Sequence, residues 1–189
     1  MMILVFVPSI FEMCQLWVNL PKKNKMTKPR YQPIVDKKIP IVKLPLGSDK
    51  EEDSGYVRVI AGSLGNTPGV AKTFSPVELW DVILPEKSED IDLPFPPDYN
   101  CIIFVRNGGI DVISEEGKAQ SVGPQAVALM QRESGEVLRL RSTVKDTKVL
   151  IMGGRPLEEP IANMGPFVMN TQKELMQAQK DYHSGKLGR

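Results

Sequence analysis

Histidine most restricts the chemistry of this chain, because its 189 residues include a single one, His183. Catalytic zinc and non-haem iron sites normally use two or three imidazoles together with a carboxylate. One histidine cannot supply that set. His183 also falls in the last turn of a predicted C-terminal helix, where an imidazolium complements the helix dipole. We therefore expect neither a metal site nor a catalytic role for it.

Two other stretches resemble ligand-binding loops without matching them. The acidic residues between positions 49 and 53 lack the alternating ligands and the closing glutamate of a calcium loop. The glycine-rich stretch from 62 to 73 places Val70 and Ala71 between its last glycine and Lys72. A phosphate loop has its lysine directly after the last glycine. The sequence thus assigns no catalytic residue and no metal ligand.

The cysteines and the start of the chain indicate a reducing compartment. Cys14 and Cys101 are too few for a disulfide framework and lie among apolar residues, which favours free thiols. The apolar residues 1–7 have no basic region before them and are interrupted by Pro8, unlike a secretory signal peptide. No apolar run approaches the ~18 residues that a membrane span needs. We expect a chain that is not secreted and not membrane-bound, located in the cytoplasm, the nucleus or both.

A basic segment is the remaining candidate for binding. It consists of Lys22, Lys23, Lys25, Lys28 and Arg30. Such a cluster is found in nuclear-localisation or polyanion-binding stretches, but a solvated linker kept extended by charge and proline is the favoured interpretation. Residues 1–43 carry a net charge of +6 and the rest of the chain −5. Because nucleic-acid binders usually carry a basic patch on the folded body, we expect no direct nucleic-acid partner.

The elements that would position these residues are predominantly strands. The chain has 16 prolines, 15 glycines and only 6% aromatic residues, and turn signals recur between short β-prone runs. We predict that Leu138 and Leu140 face the core, and that the wholly apolar run from Cys101 to Val105 is buried on both faces. A closed double sheet accounts for both kinds of strand. The predicted strands are Val57–Ala61, Val77–Leu84, Cys101–Val105, Ile110–Ile113, Ala126–Met130, Val137–Leu140 and Val149–Met152.

Three regions differ in composition along the chain. Residues 1–20 are predicted to be a remnant strand, with Leu16 and Val18 on one face. Residues 21–55 are rich in proline and lysine and are predicted to be an extended linker or a strap over a surface, without strand pairing. Residues 56–185 are predicted to be the folded body.

A single helix is predicted at the end of the body. Thr171 followed by Glu174 matches a capping box, in which each side chain satisfies a free backbone amide at the helix start. Leu175, Ala178 and Tyr182 then follow at helical spacing and form a face that can dock. The helix is predicted to stop at Ser184-Gly185.

The last third of the sequence closely resembles the C-terminal signature of the pirins. That signature comprises residues 154–161 followed by Gly165, Pro166, Phe167, Met169, Asn170 and Thr171. Further stretches look like pirin sequence from about Gln15 to Arg189: Leu16–Pro21, Met26, Tyr31-Gln32, Val59–Gly62, Thr73–Pro76 and Asp181-Tyr182.

This resemblance implies a cupin-type fold. Pirins have two jelly-roll β-barrel domains, and three histidines and a glutamate of the N-terminal domain hold a single iron. Family activities are quercetin 2,3-dioxygenase chemistry and redox-dependent binding to nuclear transcription factors. The resemblance begins at the last strand of the N-terminal domain, so no iron ligand can be assigned to a residue here. We thus expect an all-β, cupin-type jelly-roll β-barrel or sandwich with a C-terminal α-helix and no cofactor of its own.

Three hypotheses for function follow. The first is a metal-free interaction or scaffold module that binds a protein partner or the missing N-terminal domain. The second is a fragment of an iron-dependent quercetin 2,3-dioxygenase-type enzyme, and the third is a degenerate copy without a role. Because the apolar segment 1–20 would lack its sheet, we expect poor solubility or self-association through it unless it folds back onto the body or finds a partner. We expect its deletion to improve solubility.

Overall fold

The computed structural model describes residues 12–44, 55–85, 89–132 and 135–187. The described residues form fourteen strands, two short 3₁₀ helices (Lys22–Asn24 and Asp36–Lys38) and one α-helix, α1 (Gln172–His183). The strands are β1 (Ile41–Lys43), β2 (Tyr56–Ala61), β3 (Ser63–Leu64), β4 (Thr67–Pro68), β5 (Val77–Ile83), β6 (Ile91–Pro94), β7 (Asn100–Asn107), β8 (Ile110–Ile113), β9 (Ala119–Val122), β10 (Val127–Met130), β11 (Val137–Ser142), β12 (Lys148–Gly154), β13 (Ala162–Met164) and β14 (Phe167–Met169).

Two antiparallel sheets enclose the core. The larger sheet has the strand order β1-β2-β5-β12-β7-β10, and the smaller has the order β6-β11-β8-β9. Trp80, Ile103 and Ile151 from the larger sheet are fully buried, as are Leu93 and Leu140 from the smaller one. Because side chains alternate across a strand, these residues fill the space between the sheets and leave every second residue on an outer face.

All seven predicted strands are present, and Leu138 and Leu140 face the core as expected. The sequence did not predict the shorter strands. β9 reads Ala-Gln-Ser-Val and carries little β propensity, while β6 contains an aspartate and ends in proline. Both are nevertheless paired, β9 with β8 and β6 with β11.

Burial of the run Cys101–Val105 on both faces is a prediction that the structure corrects. Cys101, Ile103 and Val105 point into the core, but Ile102 is 36% exposed and Phe104 is only partly buried. The two latter residues lie on the outer face of the larger sheet, so apolar composition alone did not reveal the alternation.

The structure also corrects two expectations for the N-terminal regions. Residues 12–20 form no strand with any other described residue, so the strand predicted around Leu16 and Val18 is absent there. The segment 21–55, predicted to be free of strand pairing, contains β1, which pairs with β2, and the fully buried Leu44. The predictions for residues 1–7 and 49–53 lie outside the described residues.

The capping box of α1 is confirmed. Thr171 Oγ1 accepts a hydrogen bond from the Glu174 amide at 3.2 Å, and the Glu174 carboxylate accepts one from the Asn170 amide at 3.1 Å. Leu175 and Ala178 are buried, whereas Tyr182 remains 62% exposed. α1 is the only helix of eight or more described residues, and it is neither long nor apolar enough to cross a membrane.

The two thiols differ in environment, which yields a first prediction. Cys14 is exposed and Cys101 is buried, where desolvation of the thiolate raises the Cys101 pKa to about 12. In the native chain we expect Ellman's reagent to modify Cys14 within minutes and Cys101 only after denaturation. Rapid modification of both thiols in the native chain would contradict this burial.

Candidate functional site

The outer face of the larger sheet carries an apolar row. Strand register places Leu129 opposite Ile102, Ile102 opposite Met152, and Met152 opposite Leu79. Leu129 is 75% exposed and Ile102 is 36% exposed. We call these four residues the apolar row. Met152 and Leu79 are partly buried. A contiguous apolar surface that is partly exposed in this way is typical of binding surfaces.

An N-terminal segment borders the apolar row. Residues 12–20, which we call the arm, contribute Leu16, Trp17, Val18 and Asn19 to the wall of a groove of about 630 Å³. The Trp17 indole is 72% exposed. The other walls come from strand ends and from the segment after β12, namely Ser75, Pro76, Val77, Glu78, Leu79, Asn100, Ile102, Met152, Gly153, Gly154, Arg155, Pro156, Leu157, Glu158, Glu159 and Ile161. The groove is therefore largely apolar and open to solvent.

A buried carboxylate on the outer face of the larger sheet holds two arginine side chains near the apolar row. Asp81 lies on β5 with 6% of its surface exposed and opposes Arg58 on β2. Its Oδ2 accepts a hydrogen bond from Arg58 Nη1 at 2.7 Å, and its Oδ1 accepts one from Arg106 Nη1 at 2.5 Å. Two guanidinium groups thus neutralise and hydrogen-bond one desolvated acid, as a buried charge requires.

Each arginine also holds a segment from the N-terminal region. Arg106 Nη2 donates to Glu12 at the start of the arm at 2.9 Å. Arg58 Nη2 donates to Asp36 in the second 3₁₀ helix at 2.5 Å. The chain of ion pairs Glu12–Arg106–Asp81–Arg58–Asp36, which we call the charge chain, therefore ties the arm and the segment before β1 to the sheet.

We predict that Asp81→Asn lowers the free energy of unfolding by about 3 kcal/mol, because removing one partner leaves two shielded guanidinium groups without their shared carboxylate. Urea denaturation followed by tryptophan fluorescence measures this loss. Asp92→Asn is the matched control, since Asp92 bonds Arg139 at the solvent-exposed surface and its loss should cost far less. Equal losses for the two variants would show that the charge chain does not stabilise the fold.

A second buried carboxyl group lies near one end of the core. Glu78 is 7% exposed, and its Oε2 accepts hydrogen bonds from the Ser63 amide at 2.8 Å and from Trp80 Nε1 at 3.1 Å. Gly62, with φ +76°, allows this close approach, because a Cβ there would lie 2.0 Å from that oxygen. Burial raises the Glu78 pKa, and the two hydrogen bonds oppose the rise.

The raised pKa of Glu78 predicts a pH-dependent stability. Folding favours the protonated carboxyl, so this contribution is complete below the unfolded pKa and is lost as the pH rises through the folded pKa. Glu78→Gln keeps an acceptor oxygen and cannot ionise. We expect this variant to be more stable than the parent chain near pH 7 and equal to it near pH 4. Urea denaturation at both pH values measures this, and a variant that is less stable near pH 7 would contradict it.

The structure separates the residues of the basic segment. Lys25 Nζ donates to Asn19 Oδ1 at 2.6 Å and to the Val168 carbonyl at 3.1 Å. The Arg30 guanidinium donates to the Lys72 carbonyl at 3.1 Å and lies 4.9 Å from the centre of the Phe74 ring. The Lys22 amide donates to the Glu159 carboxylate at 2.7 Å. Lys23 and Lys28 are exposed. Lys22, Lys25 and Arg30 therefore hydrogen-bond the segment to the body. A solvated linker would not make such contacts.

The signature residues from 165 to 171 connect the hairpin of β13 and β14 to α1. Gly165 and Pro166 form the turn between β13 and β14, where φ +55° at position 165 suits glycine. The buried Asn170 side chain donates to the Pro160 carbonyl at 2.8 Å and to Glu159 at 3.3 Å. The ring of Phe167 meets Tyr182 of α1 edge-on at 5.8 Å, and Met169 closes β14 just before the Thr171 cap.

The described residues do not fit an iron site. No cluster of three or more histidine, cysteine, aspartate or glutamate side chains there could hold a metal ion. His183 lies at the end of α1, with Nδ1 2.8 Å from the Gln179 carbonyl. The space between the sheets is filled by Trp80 and its apolar neighbours.

Sequence reasoning missed the residues that define this site. Arg58, Asp81 and Arg106 are distant in sequence, and only the pairing of β2, β5, β12 and β7 brings them together. A signal was present in β7, where Ile102, Phe104 and Arg106 share one face at a spacing of two. An arginine in that series indicates an outer face rather than a core.

The two-sheet fold with its filled interior and C-terminal helix is that of a cupin. Residues 79–188 match the pirin C-terminal cupin domain, and the chain belongs to the pirin family. This confirms the resemblance found in the sequence and the cupin-type fold expected from it.

Individual proteins that this chain resembles agree with its membership of the pirin family. A quercetin 2,3-dioxygenase from Acinetobacter baumannii, solved by crystallography, is 37% identical with a TM-score of 0.78, covering 91% of this chain and 55% of that one. A pirin-like protein of Solanum lycopersicum is 33% identical over 92% of this chain and 56% of its own length. Pirin of Rattus norvegicus is 29% identical over the same shares. The chain spans about half the length of the curated relatives it matches.

Proposed function

We propose that this chain is a protein-interaction module whose apolar row and arm bind a second cupin domain of the pirin type. The observation that carries the proposal is the exposed apolar row with the Trp17 indole beside it. Large exposed aromatic side chains beside apolar surface are the usual anchors of protein interfaces. The cytoplasm or nucleus is the compartment we propose, since the exposed Cys14 carries a free thiol.

Two features favour a cupin domain as the partner. The stretch Leu16–Pro21 resembles the junction between the two pirin domains, and its residues 16–19, which belong to the arm, form part of the groove wall here. The matched relatives also contain about as much sequence again beyond the part shared with this chain. A domain that packs on the arm would cover the indole and the apolar row together.

The binding test uses co-expression of the full chain with the other cupin domain of the A. baumannii relative. We expect the two to co-purify, and we expect Trp17→Ala to weaken their association at least about tenfold, as truncation of an aromatic anchor does. Tyr31→Ala is the matched control, because Tyr31 is an 88% exposed aromatic residue that is not part of the groove wall. Isothermal titration of the separated proteins measures both affinities.

Two results would contradict the proposed binding surface. An unchanged affinity for Trp17→Ala, or an equal loss for Tyr31→Ala, would remove the groove as the binding surface. Thermal unfolding of each variant shows whether the fold is retained, and the exposure of both side chains makes retention the expected result.

The second candidate function is a share in quercetin 2,3-dioxygenase-type catalysis, favoured by the identity of 37% to the A. baumannii enzyme. In this case the iron would belong to the other cupin domain, and this chain would supply packing rather than ligands. Oxygen uptake with quercetin, with and without this chain added to the iron-loaded domain, distinguishes the two functions. Binding without a change in turnover supports the interaction module, whereas increased turnover supports the catalytic role.

A further inference from the structure

Within the described residues, the larger sheet ends in a free edge at β10. β10 is the last strand in the sheet order, and its one strand neighbour among the described residues is β7. The residues from 123 to 131 around it carry no charged side chain. The opposite edge differs: β1 follows Pro40, contains Lys43 and comes shortly after Lys37 and Lys38. Prolines and lysines protect sheet edges from further pairing, and β10 itself contains neither, Pro124 lying three positions before its start.

The hydrogen bonds at the start of β10 determine which backbone groups face its free edge. The Gln125 amide donates to the Val105 carbonyl at 2.8 Å, and the Val105 amide donates to the Ala126 carbonyl at 3.0 Å. Gln125 and Ala126 thus both lie opposite Val105, which makes a β-bulge. Gln125 is its first residue and has the left-handed φ, +59°, that this position adopts. Paired residues alternate after this point, so Ala128 exchanges hydrogen bonds with Ile103.

It follows that Val127 and Leu129 direct their backbone N–H and C=O groups away from β7. Their side chains are also exposed, by 53% and 75% respectively. As far as the described part of the chain shows, the edge therefore presents apolar side chains together with unpaired donors and acceptors. Backbone groups in this arrangement form a template for another strand.

We propose that β10 pairs in antiparallel fashion with β10 of a second copy of this chain, about a two-fold axis at Ala128. In this register Val127 lies opposite Leu129 of the second copy. Each outward N–H then meets an outward C=O, so the strand is complementary to itself, as a two-fold interface requires. Because residues 123–131 carry no charge, the two paired strands place no like charges opposite each other near the axis.

The same register extends the apolar row. Leu129 already faces Ile102 on its own sheet, and the pairing places Val127 of the second copy on its other side. The larger sheets of the two copies would then join into one continuous sheet. Because a short edge buries less than the ~800 Å² per partner of a standard interface, we expect a weak dimer that forms at high micromolar concentration.

Disulfide cross-linking tests the register. In the proposed pairing Ala128 faces Ala128 of the second copy as a non-hydrogen-bonded pair, whose Cα atoms lie about 4.5 Å apart, within the range for a disulfide. In a Cys14→Ser background, Ala128→Cys should cross-link under copper–phenanthroline to twice the chain mass of 21.1 kDa. Val127→Cys is the control: it is more exposed, but it faces Leu129 and should cross-link far less.

A second pair of variants tests the backbone pairing in solution. Leu129→Pro removes an outward N–H, and Leu129→Thr keeps it while losing the same side chain. By sedimentation equilibrium we expect the proline variant to weaken dimerisation at least about tenfold more than the threonine variant. Equal effects of the two variants, equal cross-linking of the two cysteine variants, or a monomer at all concentrations would overturn the proposal.

Discussion

The ion pairs of the buried Asp81 carboxylate with Arg58 and Arg106 are the interaction on which this structure most depends. An acid with 6% exposure is stable only when its charge is compensated, and both of its oxygens are. The arginines come from strands on either side of it, so the pairing also fixes how those strands present their outer face. Through Glu12 and Asp36 the same charges hold two N-terminal segments against the sheet.

This arrangement gives the larger sheet two different faces. Its inner face is filled by Trp80, Ile103 and Ile151 and forms the core. Its outer face changes from charged near Asp81 to apolar along the row that includes Ile102, and the arm borders that row. A sheet whose second face is apolar and partly exposed is typical of a surface that binds a partner. The function we propose for this pirin-family chain follows from that second face.

Local patterns predicted much of the fold because the physics behind them is local. The alternation around Leu138 and Leu140, the capping box of Thr171 and Glu174, and the glycine turns all depend on neighbours within a few residues. The charge chain could not be predicted in this way, because Glu12 and Arg106 are 94 residues apart. Apolar Ile102 looked like core because the run Cys101–Val105 is wholly apolar, and the residue that indicates an outer face, Arg106 on the same side of β7, lies just beyond that run.

Hydrogen–deuterium exchange of the unmodified chain, with and without the other cupin domain, tests the central claim most directly. The account predicts that the partner slows exchange in the arm and in the peptide covering β7, and leaves exchange in β11 of the smaller sheet unchanged. Protection of β11, or no protection of the arm when the two proteins are bound, would contradict the assignment of the apolar row as the interaction surface.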